Sequence, residues 1–344
     1  MAIKGRKLKM ISANPIIIAS KRGILMKFFL TILLSLLLAS CIPVPGPIPP
    51  TTTIPKSTAI STPIFGFTST PLPTNTPFLA SDPVLVGAGD IAHCASDGDE
   101  ATASLLDAIP GTVFTTGDNV YRSGTPEEFA NCYDPSWGRH KARTYPSPGN
   151  HDYGTAGAAG YYAYFGPMAG EPGKGYYSYD LGEWHIIVLN SNIPVEPGSP
   201  QDLWLREDLA AHPVACTLAY WHHPRFSSGS VHGSNRRMQP LWEALYQFGA
   251  DVVLAGHEHN YERFAPQTPQ GDADPSRGIR QFVVGTGGRS YYSFETPITN
   301  SEVSNGDAHG VLKLTLHSGA YSWEFIPVAG ETFTDSGTAP CVTP

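Results

Sequence analysis

The stretch Ala255–Arg263, A-G-H-E-H-N-Y-E-R, decides how the chain is read. It follows Asp251-Val-Val-Leu254, a short apolar run closed by Gly256. Such a run predicts a buried strand entering a tight loop. In an extended chain, residues i and i+2 point the same way. His257 and His259 can then reach one point, or two neighbouring metal ions. Two imidazoles do not make a metal site, which needs more ligands, and a pair of surface-loop histidines is the plain alternative. The other strand ends supply the missing oxygen and nitrogen donors.

Upstream, Val84–Val86 predicts a strand that ends in Gly89-Asp90, followed by a helix near Asp99–Ala108. Val113–Thr116 predicts the next strand and runs into Gly117-Asp118-Asn119-Val120-Tyr121. Helix signals recur over Pro126–Cys132, with proline first and Glu127 and Glu128 in the first turn. Ser147-Pro-Gly-Asn-His-Asp152 comes next, then a Gly/Tyr-rich loop from Tyr153 to Gly175, long enough to shape a pocket. Tyr176–Leu181 and Trp184–Leu189 predict adjacent strands, and Gln201–Ala211 a helix. Cys216–Trp221 is a strand ending in His222-His223-Pro224. An amphipathic helix over Asn235–Phe248 precedes the histidine pair, and strands at Ile279–Val284, Val311–Leu316 and Tyr321–Ile326 follow. Helices alternate with strands and strands then dominate, which argues an α/β (α+β) domain whose sheets are covered by helices. Each candidate donor falls just past the carboxyl end of an apolar strand, where open α/β sheets bind ligands.

The donors are Asp90, Asp118, Tyr121, Asn150, His222, His257 and His259. Carboxylates, a phenol, an amide and imidazoles together suit first-row metals rather than calcium. The set is too large for one ion but fits two ions sharing a bridging carboxylate, which clamp the attacking and leaving oxygens of a phosphoryl displacement. Composition agrees with an exported, loop-rich domain: of 344 residues, 35 are Gly and 32 Pro, and 15% are charged. Net charge is −8, and the first 40 residues hold seven bases and no acid, so the remainder carries 15 bases against 30 acids. A domain that acidic is a poor candidate for a duplex-DNA surface, while leaving room for a small phosphorylated substrate at a metal centre that supplies its own positive field.

The order G-D, G-D-x-x-Y, G-N-H-D, a histidine before a helix, then G-H-x-H-x-Y-E-R resembles the purple acid phosphatase branch of the calcineurin-like metallophosphoesterases, across residues 83–330. The resemblance implies a two-sheet β-sandwich flanked by helices in four layers, with a dinuclear centre at the sandwich edge. It implies that Asp118 bridges both ions. Asp90, Tyr121 and His259 complete a ferric site, and Asn150, His222 and His257 complete a site for divalent Fe, Zn or Mn. It further implies hydrolysis of phosphate monoesters by in-line attack of a metal-bound hydroxide, with nucleotides or phosphodiesters as alternative substrates. His151 would bind the phosphate or protonate the leaving alkoxide, and His232, ten residues past His222, would be a second substrate histidine. Tyr121 marks the branch, since a phenolate favours ferric iron. His93, in Asp90-Ile-Ala-His93, is offset by one from the D-x-H of many relatives. The plant members resemble a two-domain arrangement with an N-terminal β-sandwich, a length filled here by other sequence. A non-catalytic surface protein holding phosphate or metal is the rival from another class, and the intact donor set argues against it.

Other residues are weighed by their neighbours. Asp152 is placed to orient His151 as a catalytic partner. His223, beside a donor, is expected at the pocket edge. Arg225 is expected to be a solvated loop arginine, with phosphate pairing as the alternative. His185 is expected as a satisfied core histidine, and His140, His212, His309 and His317 as structural. Trp221 and Trp242 are expected in the core or pocket wall.

Residues 1–40 predict a targeting segment. Lys21, Arg22 and Lys27 precede Phe28–Ala39, an apolar run of about a dozen residues, too short to span a bilayer. The ending Leu38-Ala39-Ser40-Cys41 resembles the lipobox of bacterial lipoproteins, which implies lipidation of Cys41 and a membrane anchor; an ordinary cleavage site is the alternative. Met26-Lys27 would serve as a more usual signal start. Residues 41–82 form a Pro/Thr/Ser-rich linker: from Ile42 to Asp82, 23 of 41 residues are of those types. Residues 83–344 form the catalytic domain. Cys94, Cys132, Cys216 and Cys341 remain, an even number in an exported chain, with three possible connectivities. Cys94–Cys132 is favoured because it ties two loops that follow donor segments, and Cys216–Cys341 because it pins the C-terminal tail to a core strand.

Overall fold

A computed structural model describes residues 82–342. The signal segment 1–40, Cys41 and, but for Asp82, the linker lie outside the described residues. Along the chain run β1 (Val84–Ala88), β2 (Ala92–His93), α1 (Gly98–Ala108), β3 (Thr112–Thr115), β4 (Val120–Tyr121), α2 (Pro126–Glu128), β5 (Thr144–Pro146) and α3 (Ala159–Phe165). Then come β6 (Tyr177–Leu181), β7 (Trp184–Val188), α4 (Pro200–Ala211), β8 (Cys216–Tyr220), α5 (Gln239–Gln247), β9 (Val252–Ala255), β10 (Tyr261–Phe264) and β11 (Arg280–Val284). β12 (Ser301–Asn305), β13 (Gly310–His317), β14 (Ala320–Pro327) and β15 (Asp335–Pro340) finish the fold.

The strands form a six-stranded sheet, β15-β14-β13-β1-β3-β5, a seven-stranded sheet, β12-β10-β11-β9-β8-β7-β6, and the short pair β2-β4. The apolar runs read from the sequence are the parallel strands β1-β3 and β7-β8-β9-β11. Such strands are covered on both faces, so they lack polar alternation. Alternation of Cβ atoms sends Leu218, Tyr220, Val252 and Leu254 to the core between the sheets. It sends Ala219 and Val253 outward, to pack with Leu205 and Leu209 of α4 and Leu241 and Leu245 of α5. Aromatic contacts bridge the two sheets: Phe114 to Tyr220, Trp184 to Tyr321 and Phe282 to Trp323. α1 lies against β13 of the other sheet. The expected helix-flanked sandwich is the observed fold.

Both favoured disulfides, Cys94–Cys132 and Cys216–Cys341, are formed, with Cα separations of 4.9 and 5.5 Å. Several local expectations change. The helix expected over Pro126–Cys132 is one short turn, α2, continued by a wider turn at Phe129–Tyr133. Glu128 accounts for the start: its carboxylate accepts the N–H groups of Arg122, Ser123 and Thr125, which binds the preceding loop back onto the turn. The helix expected over Asn235–Phe248 divides into a 3-10 turn and α5 at Gln239, with Pro240 in the first turn of α5. The Gly/Tyr-rich loop is ordered around α3, where Tyr161 and Phe165 are buried and the Tyr161 hydroxyl donates to the Pro146 carbonyl at 2.9 Å. It therefore packs against the segment leading to Asn150. β10, β12 and β15 are strands without an apolar run to announce them.

Candidate metal centre

Asp90, Asp118, Asn150, His222, His257 and His259 follow β1, β3, β5, β8 and β9, whose carboxyl ends share one edge of the sandwich, and Tyr121 ends β4. The histidine pair does not lie on extended chain there: residues 256–260 form a bend, with His257 at φ +71°. The two imidazoles therefore divide between two neighbouring positions rather than meeting at one. Asp90 and Asp118 also take left-handed conformations, at φ +58° and +49°. Such strain persists where surrounding structure over-determines it, and it clusters at functional sites.

One half gathers Asp90, Tyr121 and His259. The Tyr121 hydroxyl donates to Asp90 Oδ1 at 2.8 Å and lies 3.1 Å from His259 Nε2, which is 3.5 Å from Asp90 Oδ1. The other half gathers Asn150, His222 and His257: His222 Nε2 lies 3.0 Å from Asn150 Oδ1 and 3.0 Å from His257 Nδ1. Asp118 stands between the halves. Its Oδ2 is 3.3 Å from His222 Nε2, its Oδ1 accepts the His151 N–H at 2.8 Å, and Asp90, Asp118 and His222 offer ligand atoms within 4.8 Å of one another. Donors each ~2.1 Å from a common ion stand ~3 Å apart at right angles, so the spacing fits ion-sized positions. Ring orientation fits as well. His222 Nδ1–H donates to the Thr116 carbonyl at 2.8 Å and His259 Nδ1–H to the Ser290 carbonyl at 2.6 Å, which turns each Nε2 inward.

Electrostatics agree. Burial, with the neighbouring Asp118 charge, pushes Asp90 up to about 7 even though His222 and the Tyr121 hydroxyl pull it down. Burial also raises Asp118, but the charge and hydrogen bond of His222 outweigh it and hold that carboxyl well below the usual range; Asp118 in turn pushes His222 up to about 9 against its burial, a proton that a bound cation would replace. Burial drives His257 far down and His259 to about 3, so both are neutral, the form that coordinates. Buried carboxylates crowded beside imidazoles are costly unless a cation neutralises them.

Around this cluster, His151 donates from Nδ1 to the Arg122 carbonyl at 2.6 Å and holds Nε2 3.9 Å from Asp118 Oδ2, with 39% of the side chain exposed. The His232 ring stacks on His257 with centroids 4.0 Å apart. His223 lies at the edge as expected, 4.3 Å from the His257 ring, with Nδ1 2.7 Å from Ser191 Oγ. His93 lies outside the cluster, its Nδ1 accepting the Ala95 N–H.

Two expectations are corrected. Asp152 makes no hydrogen bond to the His151 ring. Its Oδ2 instead accepts from the Gly149 N–H at 2.8 Å and from the Asn119 side chain at 3.0 Å, tying two donor loops together, and the Arg122 carbonyl orients His151. Arg225 is buried, not solvated, and donates to the Gln239 side chain and the Pro269 carbonyl. His185 is the satisfied core histidine expected, between Asp180 and Asp208. His140, His212, His309 and His317 each bond to protein groups. Trp221 and Trp242 are core.

Sequence reasoning missed the segment after β11. Arg289 places its guanidinium 5.0 Å from the Tyr121 ring centre, and Tyr292 stacks on His259 at 3.8 Å. The glycines of Gly285-Thr-Gly-Gly288 past a parallel strand were the available signal.

The family model described as calcineurin-like phosphoesterase matches residues 84–261, spanning β1 to the start of β10. The chain belongs to the calcineurin-like phosphoesterase family. This family works with two metal ions, in keeping with the two halves of the cluster. Among curated relatives of this calcineurin-like phosphoesterase, purple acid phosphatase 21 of Arabidopsis thaliana is 33% identical over 160 residues, 43% of this chain and 36% of that protein. Purple acid phosphatase 23 of the same plant is 31% identical over 196 residues, 46% of this chain and 43% of that one. The chain thus spans less than half the length of these relatives. In solved structures, a purple acid phosphatase from yellow lupin (Lupinus luteus) seeds superposes with a TM-score of 0.62 at 20% identity, covering 76% of this chain and 54% of that one, a likeness of fold.

Proposed function

We propose that this calcineurin-like phosphoesterase hydrolyses small phosphate monoesters at a dinuclear centre. Asp118 would serve both ions. Asp90, Tyr121 and His259 would hold a ferric ion, and Asn150, His222 and His257 would hold a divalent ion, Fe, Zn or Mn. The observation that carries this reading is the arrangement of the seven donors as two half-shells about one carboxylate. When bound, the ions supply Lewis acidity and a positive field for phosphoryl transfer.

The chain's own residues do the rest. His151 has Nδ1 committed to the Arg122 carbonyl, so Nε2 is the nitrogen that meets a phosphate oxygen or gives a proton to the leaving alkoxide. His232, stacked on His257, contacts the phosphate from the opposite side. Asp152 acts from behind, fixing Gly149 beside Asn150. The catalytic domain is residues 83–344, tethered by the linker 41–82 to a lipid on Cys41 after export. The two disulfides support an oxidising compartment, and no helix among the described residues is long and apolar enough to cross a membrane.

The test is the metal content, visible spectrum and p-nitrophenyl phosphate hydrolysis of the chain purified without chelator. Two ions per chain, turnover, and a visible band lost in Tyr121→Phe are expected. Protein that takes up no metal and cleaves no ester overturns the reading. Detergent partitioning of the exported chain beside Cys41→Ser tests the anchor: both remaining in the aqueous phase refutes it.

A further inference from the structure

We infer that Glu258, the residue between the two histidines of the H-E-H motif, is a positioning residue that sets His232 over the centre. The inference rests on the proposed role of His232 at the phosphate. Glu258 is fully buried, yet it makes no hydrogen bond to a member of the donor cluster. Its carboxylate turns away from the centre and enters the loop that follows β8. There Oε1 accepts the backbone N–H of His232 at 2.5 Å and of Gly233 at 2.6 Å. Gly229 makes room for it: a Cβ at that position would lie 2.2 Å from Glu258 Cδ.

A second carboxylate from the same segment grips the start of this loop. Glu262 accepts the Ser228 N–H at 2.8 Å and the Ser228 hydroxyl at 2.5 Å. On the open side, the Ser230 N–H donates to the Ser293 carbonyl, and the Glu295 N–H donates to the Ser228 carbonyl. The loop from Ser227 to Gly233 is thus held at both ends by buried carboxyl groups of the segment that supplies His257 and His259. Hydrogen bonds from N–H groups to a carboxylate are short and strong, and they fix the backbone at His232 itself. With that backbone fixed, the imidazole stacks on His257 at 4.0 Å and meets the Tyr292 ring edge-on at 5.7 Å. One nine-residue stretch therefore supplies a donor to each half of the centre and also sets the distance of the substrate histidine from them.

The test compares Glu258→Val, Glu258→Gln and His232→Ala in the full chain. Amide hydrogen exchange of residues 228–233 reads the clamp without reference to turnover. Exchange at His232 and Gly233 accelerates at least tenfold in Glu258→Val and stays near wild type in Glu258→Gln, whose amide oxygen still accepts both N–H groups. Turnover of p-nitrophenyl phosphate reads the consequence. Glu258→Val lowers kcat by about 10-fold to 100-fold, the scale of a misplaced catalytic group, and adding His232→Ala to it costs little more. Unchanged exchange in Glu258→Val overturns the clamp. Changed exchange with losses that multiply in the double variant overturns its role in placing His232. A wild-type chain without turnover strikes the proposed function, and the exchange data still decide the clamp.

Discussion

Gly149→Ala tests the geometry of the centre with a single methyl group. Gly149 passes over Asp118, and a Cβ built on it lies 2.1 Å from both Asp118 N and Asp118 Oδ1. Ordinary contact begins near 3.4 Å, so the two loops must part by about 1.3 Å. Neither atom is the far end of a flexible chain: one is backbone, and the other belongs to a carboxylate held by the His151 N–H. The expected stability cost is that of overpacking, about 1–3 kcal/mol. The expected catalytic cost is larger in proportion, because a displacement of about 1 Å in a reacting constellation lowers turnover about 100-fold. The assay is kcat on p-nitrophenyl phosphate with metal content and urea unfolding on the same preparation. Gly157→Ala is the control. Gly157 is also on a loop, but no atom lies within 4 Å of the place a methyl would take, and its φ of +63° leaves only backbone strain, about 1–2 kcal/mol, with turnover unchanged. Wild-type kcat and full metal content in Gly149→Ala would refute the placement of Asp118 at the heart of the site.

Asp118→Asn keeps an acceptor for the His151 N–H but removes the charge shared by the two halves, so both metal content and turnover fall; two ions and full activity would contradict the bridging role. Loss of the Cys216–Cys341 bond, which closes a separation of 125 residues, costs up to about 5 kcal/mol in the loop-entropy account, against about 4 kcal/mol for the 38-residue Cys94–Cys132 separation. Urea unfolding of Cys341→Ser and Cys132→Ser should therefore rank the former as the weaker protein. For His185, burial lowers the pKa but the bonds to Asp208 and Asp180 outweigh it and raise it. Its stabilising contribution is full below its unfolded value of about 6.5 and fades as pH rises through the raised folded value. The stability gap between wild type and His185→Gln should be wider at pH 6 than at pH 9, and a gap that widens with pH would be wrong for this pair.

The parts legible in the sequence are those written locally. Strands β1, β3, β8, β9 and β11 are apolar runs because helices or the second sheet cover both faces. The polar residues that close four of those runs stand at the sandwich edge, and this pattern marks Asp90, Asp118, His222 and His257 as candidate donors. The edge strands are hidden: β12 alternates Ser301, Glu302, Val303, Ser304 and Asn305, and β15 contains Gly337 and Pro340. Their place comes from pairing with β10 and β14, partners chosen at long range. Buried polar groups mislead for a related reason. Asp152 beside His151 has the look of its orienting partner, but adjacent side chains diverge, and the carboxylate turns to Gly149 and Asn119 instead. Arg225 has the look of a solvated residue because its acceptors, Gln239 and the Pro269 carbonyl, come from later in the chain.

The stretch from Ala255 to Arg263 carries so much information because its register is shared by three structures at once. From Tyr261 the bend becomes strand, and side chains alternate. Tyr261 and Arg263 face the core side, where both donate to Asp335 Oδ2, at 2.6 and 2.7 Å, and hold β15. Glu262 and Phe264 face the other way, to Ser228 and to the second core with Phe226. A slip of one residue would exchange these faces, bringing Glu262 to the aromatic core and Tyr261 to the loop. It would also carry His257 and His259 off their halves of the centre, since the bend has no slack between Ala255 of β9 and Tyr261 of β10. Pairing of Tyr261 with Val284 and of Arg263 with Phe282 fixes that register from the β11 side. The spacing of the two histidines from the Y-E-R triplet is therefore a folding constraint as much as a chemical one, and an inserted residue between Asn260 and Tyr261 would damage stability and metal content together.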